Sequence, residues 1–168
     1  VGTPTTGTLA GACQSMPAGS CTFSANTAIQ DVWYNFTAIS TSQIITVTPS
    51  ASLNVAFQVF MTSCGDSSIN SSNAAGLAGT ETATLTGLTV GNSYWIRVYS
   101  VGSGASGIPN TPTFNIVVES PPNNDDCSGA VSLMVNSSCM PTLGCDLNAT
   151  SSGIAQCNIA DPDEDVWY

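Results

Sequence analysis

The sequence predicts an all-β protein, an antiparallel β-sandwich of about seven to nine short strands that is part of a tandem repeat. Three observations lead to this prediction. Apolar residues alternate with polar ones in short blocks, the pattern of strands that bury one face. Clusters of Gly, Ser and Asn separate the blocks and are typical of turns, whereas no segment has helical periodicity. One tetrapeptide also recurs near the end of the chain.

The alternation predicts the strands in chain order. In three successive strands the positions that share one face are Val32, Tyr34 and Phe36, then Ile45 and Val47, then Val55, Phe57, Val59 and Met61. Three further strands are predicted over residues 82–86, 94–100 and 113–118. The apolar sides of these strands would form the core of the sandwich.

The repeat is visible in one motif and its surroundings. Asp31-Val32-Trp33-Tyr34 recurs as Asp165-Val166-Trp167-Tyr168, a shift of 134 residues. The same shift aligns Val1 with Val135, the pair Thr8-Leu9 with Thr142-Leu143, and Gly19 with Gly153. Self-similarity at a fixed spacing is typical of tandem modules. The sequence therefore predicts a repeat with a period of 134 residues.

The boundary between modules is predicted at the linker Pro121-Pro122, since paired prolines end a strand and form a stiff connector. Residues 1–120 would be most of one module, and residues 123–168 the incomplete N-terminal part of the next. A segment this short cannot bury a core alone. We expect either a longer polyprotein, of which this chain is a mature or excised piece, or neighbouring chains that complete each other by strand exchange.

Composition excludes several functions. Only 7% of the residues are charged, Arg97 is the single basic residue, and the net charge is -10. Nucleic acids and anionic membranes are bound through Lys and Arg, so neither is an expected partner. The chain has no His and no Lys, which removes Ser-His-Asp, Cys-His and Ser-Lys catalysis. A carboxylate pair could serve glycoside hydrolysis, but the acids cluster at turn-like sites. We expect no enzymatic activity.

Seven cysteines without histidine indicate an oxidising, extracellular location, in which disulfides rather than zinc are expected. One pair, Cys13 and Cys21, precedes the first copy of the tetrapeptide, and another pair, Cys145 and Cys157, precedes the second copy. The local scheme joins Cys13 to Cys21, Cys145 to Cys157, and Cys127 to Cys139. Cys64 is left over; it is free and buried, or pairs outside the chain, or replaces a local partner, with Cys21–Cys64 the leading rival. Spacing alone leaves this connectivity open.

Two acidic clusters are candidate calcium sites, because Ca²⁺ is held by six to eight oxygen ligands. One lies at the predicted module junction and the other immediately precedes the second tetrapeptide. The candidate ligands are Asn124, Asp125, Asp126, Asp161, Asp163, Glu164 and Asp165. The alternative for both clusters is a solvated acidic loop.

The predicted strand over residues 94–100 carries Trp95, Arg97 and Tyr99 on its outward side. Aromatic rows of this kind stack on sugar rings or on a neighbouring subunit, and a guanidinium can lie over a ring. These three residues are therefore a candidate contact surface. The alternative is that the sheet packs against its own loops.

The segment LTGLTVGNSYWIRVY, residues 85–99, resembles the penultimate hairpin of fibronectin type III domains, with Tyr94 placed like a tyrosine corner. Further motifs narrow the resemblance: NDDCSGA at 124–130, FQVF at 57–60, SCG at 63–65, and the two DVWY tetrapeptides. Together they resemble tandem modules of large secreted Bacteroidota surface proteins, similar to bacterial pre-peptidase C-terminal domains and often exported by type IX secretion.

This resemblance implies a jelly-roll-like or Ig-like sandwich, found in adhesins, in sheath and filament proteins, and as an appendage of secreted enzymes. We therefore expect a structural repeat of an extracellular bacterial filament, sheath or adhesin. Its partners would be neighbouring copies of the same protein, in a covalent array or by strand exchange. The alternatives are a module that binds surface glycans, and a non-catalytic appendage of a secreted hydrolase.

Overall fold

Eight β-strands make up the first part of the chain. A computed structural model describes residues 2–17, 27–50, 53–64, 67–102, 112–135, 138, 140–154 and 165–168. Within these residues the strands are β1 (Thr5–Thr8), β2 (Thr27–Thr37), β3 (Gln43–Pro49), β4 (Val55–Phe60), β5 (Ser68–Ser72), β6 (Glu81–Leu85), β7 (Ser93–Gly102) and β8 (Thr113–Glu119). The chain divides into two compact units, unit 1 (Val1–Glu119) and unit 2 (Ser120–Tyr168).

The strands of unit 1 form two four-stranded sheets. Sheet A has the order β1-β8-β3-β6 and sheet B the order β2-β7-β4-β5. All strand pairs are antiparallel. The predicted all-β antiparallel sandwich is confirmed.

The core lies between the two sheets, because every second side chain along each strand is directed into the space between them. Its buried members include Ile45, Val47, Val55, Phe57, Val59, Tyr94, Ile96, Val98, Phe114 and Ile116. Val32, Tyr34 and Phe36 pack against this cluster from β2, as the sequence predicted. One predicted core position is wrong: Met61 follows the end of β4 and is 49% exposed.

Tyr94 occupies the corner position that the sequence indicated. The backbone N–H of Thr89 donates to the Tyr94 hydroxyl at 2.9 Å, and the Tyr94 ring stacks on Phe36 at 5.5 Å between centroids. The buried ring therefore keeps a polar partner, which fixes the turn that leads into β7.

β1 and β5 are edge strands that the sequence did not reveal. Their sequences, TTGT and SINSS, contain little apolar alternation. Among the described strands, β1 pairs with β8 alone and β5 with β4 alone, so backbone hydrogen bonds on one side define each of them. β2 and β6 also lie at sheet edges but alternate apolar and polar residues, so the short, polar sequences of β1 and β5 are the reason that the pattern missed them.

Unit 2 has no β-strand among its described residues; it contains a 3-10 turn over Cys127–Gly129. The second tetrapeptide lies beside the start of the unit, since Trp167 N–H donates to the Asn124 carbonyl at 2.8 Å. Several large apolar side chains are exposed, namely Leu133, Met134, Val135, Met140 and Leu143. That this unit begins a second module, and that the period is 134, stay predictions.

Across the described residues, none of the helical segments reaches the length and apolarity needed to cross a membrane.

Candidate functional site

The outer face of sheet B carries the polar and aromatic residues that do not enter the core. Because Val32, Tyr34 and Phe36 are directed inward, the alternating residues of β2 are directed outward, and the same holds for β7 and β4. The outward residues are Asp31, Trp33 and Asn35 on β2, Trp95, Arg97 and Tyr99 on β7, and Gln58 and Phe60 on β4. The two ends of this face differ in exposure.

One end is buried around Arg97, whose side chain is 0% exposed. Its Nη2 lies 2.6 Å from Asp31 Oδ2, and its Nε donates to the same oxygen at 2.7 Å. Nη1 donates to Gln58 Oε1 at 3.1 Å and to the Pro17 carbonyl at 2.7 Å, and Nη2 donates to the Met16 carbonyl. A guanidinium offers five N–H donors, so this cluster satisfies it without water.

The exposed contact surface predicted at Arg97 and Tyr99 is therefore wrong. Both side chains are buried, and the Arg97 guanidinium carbon lies 4.8 Å from the centre of the Tyr99 ring, beneath the segment that contains Met16 and Pro17. The physical reason is that a distant segment supplies carbonyl acceptors to the guanidinium. Trp95, the third predicted residue, is only partly buried.

The other end of the face is an open groove of about 460 Å³ lined by Trp33, Tyr34, Asn35, Cys64 and Trp95. Strand pairing places Asn35 directly opposite Trp95, and Trp33 two pairs further along β2, opposite Arg97. Asn35 is exposed, and the two tryptophans are partly exposed. The amide of Asn35 thus neighbours Trp95 across the strand pair and Trp33 along β2, on a surface that is accessible from solvent.

The Trp33 indole is held at two points. Its ring packs on Phe60, with 5.2 Å between centroids and 44° between planes. Its Nε1–H donates to Ser15 Oγ at 3.0 Å. Both contacts leave part of the ring exposed. An exposed aromatic face with a fixed orientation can stack against an apolar face of a ligand, and the nearby Asn35 amide can donate to and accept from hydroxyl groups.

A family model described as "Galactose binding domain-like", of modules associated with type IX secretion, matches residues 3–116. The match covers nearly all of unit 1 and well over half of the chain. The chain belongs to this family. No curated protein and no solved structure shows significant similarity to this chain.

Membership of the galactose-binding-domain-like family has two consequences. It confirms the resemblance to modules of type IX secretion cargo, and it identifies the chain as a module of secreted or cell-surface proteins. The similarity to pre-peptidase domains stays a prediction. The β-sandwich of this family agrees with the two sheets described above.

The three disulfides of the local scheme, and the rival pair, stay predictions. The four cysteines that the structure describes, Cys13, Cys64, Cys127 and Cys145, are free and exposed. Cys21, Cys139 and Cys157 lie outside the described residues. Each local pair, and also the rival pair Cys21–Cys64, includes one of those three cysteines.

Of the described candidate ligands in the two predicted calcium sites, Asn124, Asp125 and Asp165 take part in internal hydrogen bonds. Asp125 accepts from the backbone N–H and the hydroxyl of Thr150, and Asn124 Nδ2 donates to the Trp167 carbonyl at 3.0 Å. Asp165 accepts from Ser152 N–H at 2.8 Å. No group of three or more acidic, cysteine or histidine residues suited to a metal occurs among the described residues. Asp161, Asp163 and Glu164 lie outside them, and Asp126 is exposed.

Sequence reasoning missed Trp33, Asn35 and Ser15. For the first two a signal was present, because the alternation that directs Val32 and Tyr34 inward directs Trp33 and Asn35 outward. Ser15 carried no signal, since its contact with Trp33 joins a loop to a strand 18 residues later.

Proposed function

We propose that this chain is a non-catalytic module of an extracellular bacterial surface protein, and that it binds glycans through the groove formed by Trp33, Asn35 and Trp95. The observation that carries the proposal is that two partly exposed indoles and one exposed amide line the same open groove. Sugar rings present C–H faces to aromatic rings and hydroxyl groups to amides. The galactose-binding-domain-like family supports the same ligand class.

The charge of the chain favours uncharged glycans. Arg97 is the only Lys or Arg residue, the chain has no His, and the net charge is -10. The Arg97 side chain is fully buried and paired with Asp31. No other side chain can offer a cation to a carboxylate or sulfate group, and the overall charge repels anionic polymers. The proposed ligand is therefore a neutral polysaccharide.

The lining of the groove supports a role in binding rather than in hydrolysis. Glycoside hydrolysis requires two carboxyl groups on either side of the bond that is cleaved. The described residues that line the groove include no Asp or Glu. Asp31 lies on the same face but is buried against Arg97.

Affinity electrophoresis and calorimetry of the full chain with a panel of neutral polysaccharides test this proposal. We expect Trp33→Ala and Trp95→Ala each to weaken binding by about 10-fold, since a stacked ring contributes roughly 1 kcal/mol beyond its buried area. Tyr168→Ala, which removes a 48% exposed aromatic ring from unit 2, is the matched control. Binding by both tryptophan variants at wild-type strength would contradict the proposal, as would a wild-type chain that binds none of the polymers.

A second candidate function is a structural repeat of a filament, sheath or adhesin, with neighbouring copies as partners. It is favoured by a local similarity between the two units. In unit 1 the Ser15 N–H donates to Asp31 at 3.1 Å, and in unit 2 the Ser152 N–H donates to Asp165 at 2.8 Å. Both acceptors are the first residue of the repeated tetrapeptide. The same type of loop contact in both units supports a modular array.

Negative-stain microscopy distinguishes these candidates. Long polymers from the purified chain would favour the structural repeat, and a folded Trp95→Ala variant that fails to polymerise would identify the groove as the contact between copies. Monomers that bind polysaccharide would favour glycan binding. A catalytic domain encoded beside this module would instead favour an appendage of a secreted hydrolase.

A further inference from the structure

The segment of residues 15–17 contacts the outer face of sheet B, where the buried Asp31 and Arg97 hold it. The Met16 and Pro17 carbonyls both accept from the Arg97 guanidinium, which is itself paired with Asp31. A carbonyl that accepts from a buried charged donor makes one of the stronger hydrogen bonds in proteins. The position of this segment is therefore set by the ion pair.

Ser15 connects that anchored segment to the groove. Its hydroxyl lies 2.9 Å from Asp31 Oδ2 and 3.0 Å from Trp33 Nε1. A hydroxyl has one donor and two acceptor positions, so it donates to the carboxylate and accepts from the indole at the same time. The Ser15 N–H also donates to Asp31, at 3.1 Å. The serine is thus fixed on its backbone and on its side chain.

We propose that Ser15 is a positioning residue, which fixes the orientation of the Trp33 indole for stacking against a ligand; the ligand part of this inference rests on the proposed function. Asp31 and Trp33 are both directed outward from β2, and Ser15 joins their side chains. Loss of the hydroxyl leaves the indole with its packing on Phe60 but without its polar contact. If the indole ring is mobile in the free protein, ordering it when the ligand binds costs entropy, and this cost lowers the affinity.

The experiment compares Ser15→Ala, Ser15→Thr and the wild type as full-length chains. Ser15→Thr keeps the hydroxyl, and Ser93→Ala, which changes an exposed serine of β7 in the same sheet, is the control. The first readout is hydrogen exchange of the Trp33 indole N–H by NMR, with the resonance assigned by its loss in Trp33→Phe. The second is affinity for the neutral polysaccharide panel.

We expect Ser15→Ala to shift the Trp33 indole resonance, to accelerate its exchange, and to weaken polysaccharide binding by about 2- to 10-fold. Ser15→Thr and Ser93→Ala should resemble the wild type in both readouts. The melting temperature of Ser15→Ala should stay close to that of the wild type, because the serine is exposed and the Arg97 contacts remain.

Unchanged indole exchange in Ser15→Ala would overturn the inference. Altered exchange with unchanged affinity would also overturn it, because the hydroxyl would then orient the ring without any effect on binding. A wild-type chain that binds no polysaccharide in the panel would overturn the proposed function, while the exchange experiment would still decide whether Ser15 orients Trp33.

Discussion

Tyr34 spans the gap between the two sheets of unit 1. Its ring meets Phe114 edge to face, at 6.0 Å between centroids and 83° between planes. Burial raises the pKa of the Tyr34 phenol above its ordinary value, because removal from water penalises the phenolate. The folded state therefore favours the neutral phenol more strongly than the unfolded chain does.

This shift predicts a specific alkaline instability. The folded pKa is raised, so the contribution of Tyr34 to stability is fully present below a pH of about 10 and is lost as the pH rises through the folded pKa. Denaturant unfolding from neutral to strongly alkaline pH should show a steeper loss for the wild type than for Tyr34→Phe. Tyr168→Phe, in an exposed position, should follow the wild type. Parallel curves for the wild type and Tyr34→Phe would contradict the prediction.

Gly7 is required by close packing of β1 against Tyr34 and Phe114. A Cβ built on Gly7 would lie 2.1 Å from the Tyr34 hydroxyl oxygen and 2.5 Å from a Phe114 ring carbon. We expect Gly7→Ala to lower the free energy of unfolding by about 1–3 kcal/mol, as overpacked side chains shift. Gly76→Ala is the control, because a Cβ there meets nothing within 4 Å. Equal urea midpoints for both variants would refute this explanation of Gly7.

At the scale of elements, β2 and β7 are joined by the buried pair of Asp31 and Arg97. We expect Arg97→Met to reduce the free energy of unfolding by about 3–5 kcal/mol, because Asp31 stays buried without its partner. The double variant Arg97→Met with Asp31→Leu should recover part of this loss, since it removes both charges. Urea denaturation measures both effects. A double variant less stable than Arg97→Met alone would show that the loop contacts dominate.

The strands differ in how far the sequence could predict them. Central strands such as β3 and β4 bury apolar side chains between neighbours, and their patterns revealed them. β1 and β5 are short and polar and are defined by backbone pairing, so their side chains gave little signal. The residues of the candidate site also differ in whether the sequence could predict their positions. Trp95 was predicted from its own strand, whereas the burial of Arg97 depends on carbonyls that lie 80 and 81 residues away.

At the scale of the whole molecule, the balance of charge distinguishes this chain from proteins that bind their ligands by electrostatic attraction. The chain carries a net charge of -10, and its only basic side chain is buried. We expect affinity for a neutral polysaccharide to change less than about 2-fold between 0.01 and 1 M ionic strength, a range over which the Debye length falls from ~30 to ~3 Å. Calorimetry at both salt concentrations measures this. A steep fall in affinity with salt would indicate a charged ligand.

Because the single basic residue is buried, cleavage by trypsin can measure the unfolding of the chain. Trypsin cleaves after Lys and Arg, and Arg97, the sole such residue, lies fully buried in a central strand of sheet B. A protease needs an extended, accessible segment, so the folded protein should stay intact while each opened molecule is cut once, into residues 1–97 and 98–168. The yield of these two fragments would measure how often β7 leaves the sheet.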